Sequence, residues 1–167
     1  MTRRLLVALV FAAACSSMVV FAQNAHFQNV SASIITSGQV EPNGNAGELA
    51  VSFKEAGLGN AGTEISYTAT AQAQAVYGCI NKGGNHPQAS NKTGVAGPVS
   101  GQGTFPVGRN GSISATITID PPATTLTCPG NMTEVLVSVS YSDVTLTDTF
   151  YGDYVTISGT FSHVFFQ

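Results

Sequence analysis

Three aspartates recur at intervals of five residues in the last part of the chain: Asp143, Asp148 and Asp153. Paired carboxylates can perform acid–base hydrolysis or bind calcium. However, successive residues of a strand point to opposite faces, so an interval of five places neighbouring members of this series on opposite faces of a strand. The spacing also lacks the D-x-D-x-D-G pattern of a calcium loop. We therefore expect three solvated turn residues.

The rest of the sequence carries no catalytic signature. Serine and threonine are abundant, but no G-x-S-x-G motif surrounds any of them, and no histidine is placed to act as a base. We therefore predict that the protein is not an enzyme. The alternative is a hydrolase with an unrecognised site, which requires a concave pocket where Asp or Glu lies beside His.

The three histidines, His26, His86 and His163, are candidate metal ligands. His26 and His163 could approach each other if the first and last strands are neighbours. Asp153 or Glu41 could then complete a metal site. No H-x-H or H-x₃-H spacing supports such a site, and scattered histidines near chain ends more often face solvent. We predict no metal and no cofactor.

Loop 80–92 is the most polar and glycine-rich segment of the chain. Loops carry binding residues more often than strands do, and a disulfide at the base of this loop would make it rigid. We hypothesise that the protein binds its partner through loop 80–92, the alternative being a plain connection. The candidate residues are Asn81, Lys82, Asn85, His86 and Gln88.

Two tyrosines near Gly152 form a second candidate binding site. Tyr151 and Tyr154 could present exposed aromatic rings to a sugar, although the chain has no tryptophan. This pair predicts, as an alternative function, a carbohydrate- or cell-wall-binding module.

Residues 1–22 have the pattern of a secretory signal peptide. Arg3 and Arg4 make a basic start, a long apolar stretch follows, and Val20 and Ala22 supply the small residues before the cleavage point. We therefore expect the protein to be secreted and extracellular.

The mature chain, residues 23–167, has a length that suits a single domain, and it keeps two of the three cysteines. We predict that Cys79 and Cys128 form one disulfide, because exported proteins meet an oxidising environment. Cys15 lies within the leader. In an alternative, it is the lipidated cysteine of a bacterial lipoprotein, although Ala12 replaces the more usual Leu or Val three residues before it.

The chain is poor in charge and modestly acidic, with nine Asp and Glu residues against six Lys and Arg. No basic cluster follows the leader, so the sequence excludes nucleic acid, whose binding needs several cations on one face. Attachment to anionic lipid is excluded for the same reason. No second apolar stretch is long enough for a membrane helix. The expected partner is an unknown protein or a glycan.

Apolar residues recur at every second position through most of the mature chain, which is typical of strands with one buried face. In residues 65–79, for example, the odd positions are mostly apolar and most of the even ones are Ser, Thr or Gln. The expected strands cover residues 27–35, 49–53, 65–79, 104–107, 112–119, 134–141 and a C-terminal segment in which Val155, Ile157, Phe161 and Phe165 share a face.

Seven or eight strands at this spacing predict an all-β protein, an antiparallel β-sandwich with two immunoglobulin-like layers. A partly closed β-barrel is the alternative. Asn110-Gly111 is the strongest hairpin signal, because both central residues of a type I′ turn need positive φ. It predicts a hairpin that joins 104–107 to 112–119. Pro106 cannot donate a ladder hydrogen bond, so the first arm is expected at a sheet edge.

Four short segments of the mature region carry a family resemblance. They are AHF at 25–27, VSFKEAGLG at 51–59, GPVS at 97–100 and CPG at 128–130. In them the chain resembles a loose group of uncharacterised small secreted proteins of bacteria and fungi. The resemblance implies secretion and no particular activity.

Overall fold

The computed structural model describes residues 24–41, 44–59, 63–81, 83 and 91–166, so the predicted signal peptide lies outside the described residues. The predicted all-β fold is confirmed. The strands are β1 (His26–Ile34), β2 (Leu49–Ala56), β3 (Glu64–Ile80), β4 (Lys92–Pro106), β5 (Ser112–Ile119), β6 (Thr133–Asp148), β7 (Tyr154–Ile157) and β8 (Phe161–Val164). In this part of the chain, no helix has the length and apolar character needed to cross a bilayer.

The strands form two antiparallel sheets that face each other, which confirms the predicted sandwich. One sheet has the order β1-β2-β5. The other has the order β4-β3-β6, with both β7 and β8 paired to β6. The core lies between the two sheets.

Strand β3 shows why this sequence forms a sandwich. Every odd-numbered residue from Ile65 to Ala75 is buried, as the alternation predicts. Four of these residues are alanines, and they pack in the same core cluster as Val51 and Phe53 of the opposite sheet. Small side chains on one layer let the larger ones of the other layer approach it closely.

The predicted Asn110-Gly111 hairpin is wrong, because β4 and β5 lie in different sheets. Gly111 has a φ of 67°, but Asn110 does not have a positive φ, so the turn is not of type I′. Hydrogen bonds to a neighbouring connection hold the two arms apart. The Val107 N–H donates to Thr63 O (2.8 Å), and the Leu58 N–H donates to Gly111 O (3.0 Å). The turn is therefore a corner between layers.

Strand β4 begins at Lys92, well before the predicted start at residue 104. It is an edge strand, as Pro106 predicted. Glycines interrupt the apolar alternation of β4, so its first part was not predicted. At Gly101, the packing of the two sheets requires a residue without a side chain. A Cβ at this position would lie 1.9 Å from the carbonyl oxygen of Thr118 in β5. The edges of the two sheets therefore meet there backbone to backbone.

Replacing Gly101 with alanine is expected to lower the free energy of unfolding by about 1–3 kcal/mol, because the new methyl group forces β4 away from β5. Gly97→Ala is the matched control in the same strand, since a Cβ there meets nothing within 4 Å. Urea unfolding of both variants measures the difference. Equal losses of stability would contradict the close approach.

Strand β6 continues past the predicted end at Tyr141 because a β-bulge shifts its alternation by one residue. Ser142 lies opposite Gln72, and Thr145 lies opposite Thr70, so Asp143 is the extra residue. Asp143 has a φ of 53°, in the left-handed region. Val139 and Tyr141 point inward before this bulge, and Val144 and Leu146 point inward after it. A second register shift, opposite Val76 and Tyr77, puts Leu136 in the core at the start of the strand.

The C-terminal segment forms two strands, β7 and β8, that both pair with β6. Val155, Ile157, Phe161 and Phe165 are all half-buried against the core, which confirms their shared face. Gly159, with a φ of 112°, lies in the break between the two strands.

Candidate functional site

The predicted disulfide is confirmed. Cys79 and Cys128 are bonded, with their Cα atoms 5.6 Å apart. The bond joins the end of β3 to the connection that precedes β6, as the sequence predicted. It lies at the base of loop 80–92.

The candidate binding loop is described only at its ends. The Asn81 Oδ1 atom accepts a hydrogen bond from the Gly83 N–H (3.0 Å), which forms a local turn after β3. The other candidate residues lie outside the described residues, so binding through this loop stays a prediction. They are Lys82, Asn85, His86 and Gln88.

The structure gives the two candidate tyrosines different surroundings. Tyr154 is 73% exposed at the start of β7. Tyr151 is half-buried in the preceding turn, where its hydroxyl donates to Leu58 O (3.1 Å). Its ring packs edge to face against Phe150, with centroids 4.8 Å apart. The ring contact seen in this turn therefore joins Phe150 to Tyr151, and the sugar platform stays a prediction.

The two described histidines make local contacts. The Nδ1 atom of His26 bonds to Asn24 O (2.7 Å), and its Nε2 atom bonds to the Gln28 carboxamide (2.7 Å). The ring of His163 packs against Phe165. Across the described ranges, no three His, Cys, Asp or Glu side chains are grouped so as to hold a metal ion.

An acidic cleft of about 460 Å³ lies between the connections that precede β2 and β6. Four carboxylates line it: Glu41, Glu48, Asp120 and Glu134. Burial raises the pKa of Glu48, and the charge of Asp120 adds to the rise. No histidine is among the described residues of the lining, and the hydrolase alternative stays a prediction.

The prediction that Asp148 is a solvated turn residue is wrong, since its side chain is fully buried. The bulge at Asp143 turns Asp148 inward, directly opposite Tyr67 of β3. Its Oδ1 atom accepts hydrogen bonds from the Phe150 N–H (2.6 Å) and the Tyr151 N–H (3.1 Å). The carboxylate therefore organises the turn between β6 and β7.

The other two aspartates of the series differ from Asp148. Asp143 is exposed, as predicted for all three residues, and Asp153 is half-buried. The carbonyl oxygen of Asp153 accepts a hydrogen bond from the Asp148 N–H (2.8 Å), which closes the turn. The bulge explains the difference, because it places Asp143 outside the ladder.

Glu55 of β2 is a second fully buried carboxyl group. The Tyr67 hydroxyl donates to its Oε2 atom (2.6 Å). Its Oε1 atom is buried and has no hydrogen-bond partner among the described residues, and the same holds for Asp148 Oδ2. Burial raises the pKa of Glu55 to about 7 against the lowering effect of the Tyr67 hydrogen bond, and the charge of Asp148 adds to the rise.

The outer surface of the five-stranded sheet, which we call the polar face, carries mainly uncharged hydrogen-bonding groups. The apolar Val76, Pro98 and Val164 and, at one end, Glu64 share this surface. Cross-strand pairing places outward side chains of all five strands on this one surface. The polar face comprises Ser66, Thr68, Thr70, Gln72, Gln74, Ser100, Gln102, Thr104, Ser138, Ser140, Ser142, Thr145, Thr147, Tyr154, Thr156 and Ser162.

Two shallow depressions adjoin each other on the polar face, with volumes of about 400 and about 300 Å³. Gln72 lines both of them. The first also contains the carboxylate of Asp143, and the second contains Gln74 and Ser140. Hydroxyl and carboxamide groups both donate and accept hydrogen bonds, so this surface is suited to a ligand with many hydroxyl groups.

The buried acid pair left a signal in the sequence. In β2, the odd-numbered Leu49, Val51 and Phe53 point into the core, and Glu55 is the next odd-numbered residue. Asp148 occupies the corresponding place after Val144 and Leu146 in β6. A carboxyl group at an inward position of a strand is the signal that could have identified both residues.

Comparison of the chain with protein-family models, with curated protein sequences and with solved structures found no match.

Proposed function

We propose that the protein is a non-catalytic, exported β-sandwich that acts outside the cell as a binding module. The signal-peptide pattern in residues 1–22 supports export. The Cys79–Cys128 bond is consistent with it, because structural disulfides persist in oxidising compartments.

We propose that the ligand is an uncharged polysaccharide bound on the polar face. About 25% of the residues of a typical soluble domain are charged, against 9% of this chain. Among the described residues that line the two depressions, Asp143 at the bulge is the charged one. Charge-free hydroxyl and carboxamide groups match the donors and acceptors of a neutral sugar.

The arrangement around Gln72 is the observation that carries this proposal. Its carboxamide lies between the two depressions and is flanked across the strands by Ser142 and Pro98. Tyr154 extends the same surface at its margin, where an exposed ring can stack on a sugar. Loop 80–92 joins β3 to β4, two strands of this sheet, so it would extend the same binding surface.

Pull-down of the exported protein on insoluble cellulose, chitin and xylan tests the proposal. The double variant Gln72→Ala/Gln74→Ala is expected to bind about tenfold more weakly, because it removes two hydrogen-bonding groups worth about 0.5–1.5 kcal/mol each. The retention of the wild-type protein should not change with salt, since the ligand is neutral.

The matched control is Ser114→Ala/Thr116→Ala, which changes two exposed residues on the outer surface of the other sheet. This control should bind as the wild-type protein does. Absence of wild-type protein from every glycan pellet would refute the proposed ligand. Equal loss of binding by both double variants would refute the polar face as its site.

A further inference from the structure

Glu55 and Asp148 form a buried acid pair in the core of the sandwich. Both side chains are fully buried, and each has one carboxyl oxygen without a hydrogen-bond partner among the described residues. Tyr67 connects them, because its hydroxyl donates to Glu55 Oε2 while its backbone pairs with Asp148. Two ionised carboxyl groups in such a place repel each other and lose their hydration, which strongly disfavours the doubly charged state.

The groups around Glu55 offer little positive charge to offset this cost. Tyr67 of β3, Asp148 of β6 and Asp153 of the following turn are acidic groups that face it, and the Asp charges disfavour its ionised form. The Tyr67 hydrogen bond and the charge of His26 of β1 act in the opposite direction, and His26 is exposed. Opposite Glu55 in the sheet, β5 contributes the apolar Ile113.

The two carboxyl groups differ in their hydrogen bonds. Asp148 Oδ1 accepts two backbone N–H groups. Glu55 accepts one hydroxyl on Oε2, which leaves Oε1 free to carry a proton. A neutral carboxyl group costs far less to bury than a charged one.

We propose that Glu55 holds a proton in the folded protein, so that this buried carboxyl group makes the sandwich most stable under acidic conditions. The pair is then a pH-sensitive device built into the core. An exported protein meets the pH of its surroundings directly, so the folded state would weaken where those surroundings become neutral or alkaline.

The direction of the pH effect follows from the raised pKa of Glu55, from 4.5 to about 7. Below about pH 4.5 both the folded and the unfolded chain hold the proton, and the contribution to stability is complete. Between about 4.5 and 7 the unfolded chain loses the proton first, so stability falls as the pH rises. The unfolding equilibrium constant should rise by up to about tenfold for each pH unit in this window. Above about pH 7 this contribution is flat.

Thermal unfolding of the wild-type protein and of Glu55→Gln at pH values from 4 to about 9 tests the proposal. Glutamine keeps an acceptor for the Tyr67 hydroxyl and is neutral at every pH. We expect Glu55→Gln to match the wild-type protein near pH 4.5 and to exceed its melting temperature at pH 8. A variant that is destabilised equally at every pH would overturn the proposal.

Glu64→Gln is the matched control, because Glu64 is exposed at the start of β3. It should keep the wild-type pH profile. Infrared spectroscopy of the wild-type protein adds a test that needs no variant, since a protonated carboxyl band should persist at pH 6 and disappear at pH 9. Absence of that band at pH 6, or a melting temperature that depends on added calcium and not on pH, would refute the buried proton.

Discussion

Removal of the Cys79–Cys128 disulfide is expected to lower the free energy of unfolding by about 4 kcal/mol. The two cysteines are separated by 49 residues, and a cross-link over a loop of this length removes many conformations from the unfolded chain. For a domain of this size, the loss corresponds to a fall of about 10–15 °C in melting temperature. The bond also fixes the connection before β6, in which Cys128 lies outside any strand.

Thermal unfolding of the double variant Cys79→Ala/Cys128→Ala measures this effect. Wild-type protein treated with a reductant is the matched control, and it should unfold at the same lower temperature. The mass of the exported protein, measured without reductant, verifies the bond and also shows whether the chain begins after Ala22. Two free thiols, or equal melting temperatures with and without the bond, would contradict the prediction.

The strands were predictable where one face of each is continuously apolar. Residues 65–79 and 112–119 were predicted nearly to their ends, because alternation with a period of two directly reflects a surface with one buried side. The disulfide was predictable for a different reason. The predicted leader contains Cys15, so the predicted mature chain has two cysteines, which can form only one pairing.

Sheet membership was not predictable from local sequence. Asn110-Gly111 has the residues of a tight hairpin, but its arms belong to different layers. The choice depends on hydrogen bonds to Leu58 and Thr63, about fifty residues away in the chain. The first part of strand β4 was missed because glycines interrupt its apolar alternation, and one of them, Gly101, is needed for the close contact with β5.

The candidate sites were predictable only in part. The outward Ser, Thr and Gln residues of β3 were evident from the sequence, but their union with those of β4 and β6 depends on the register of three strands. The acidic cleft depends on pairing in the same way. Glu48 precedes β2 and Asp120 follows β5, and they become neighbours because Leu49 pairs with Ile119. One β-bulge was enough to reverse the expected position of Asp148.

Replacing Tyr141 with alanine is expected to lower the free energy of unfolding by about 3–5 kcal/mol, as other large-to-small changes of buried aromatic residues do. Tyr141 is fully buried in β6. Its hydroxyl donates to Gly47 O (2.7 Å), and Ile119 O lies 3.4 Å away. Ile119 lies in β5 of the opposite sheet, and Gly47 lies in the connection that leads into β2, so this side chain fills the core and connects β6 to the opposite layer.

The variant Tyr141→Phe separates these two contributions. It keeps the ring and removes the hydroxyl, which leaves a buried carbonyl without its donor, so we expect a loss of about 1–3 kcal/mol. Tyr154→Ala is the matched control, because that ring is 73% exposed and its removal should change stability by less than about 0.5 kcal/mol. Urea unfolding of the three variants gives the comparison.

If Tyr141→Phe cost as much as Tyr141→Ala, the hydroxyl would be the main link between the layers and the ring would contribute little. If Tyr141→Ala cost no more than Tyr154→Ala, the packing of the two sheets around Tyr141 would be wrong.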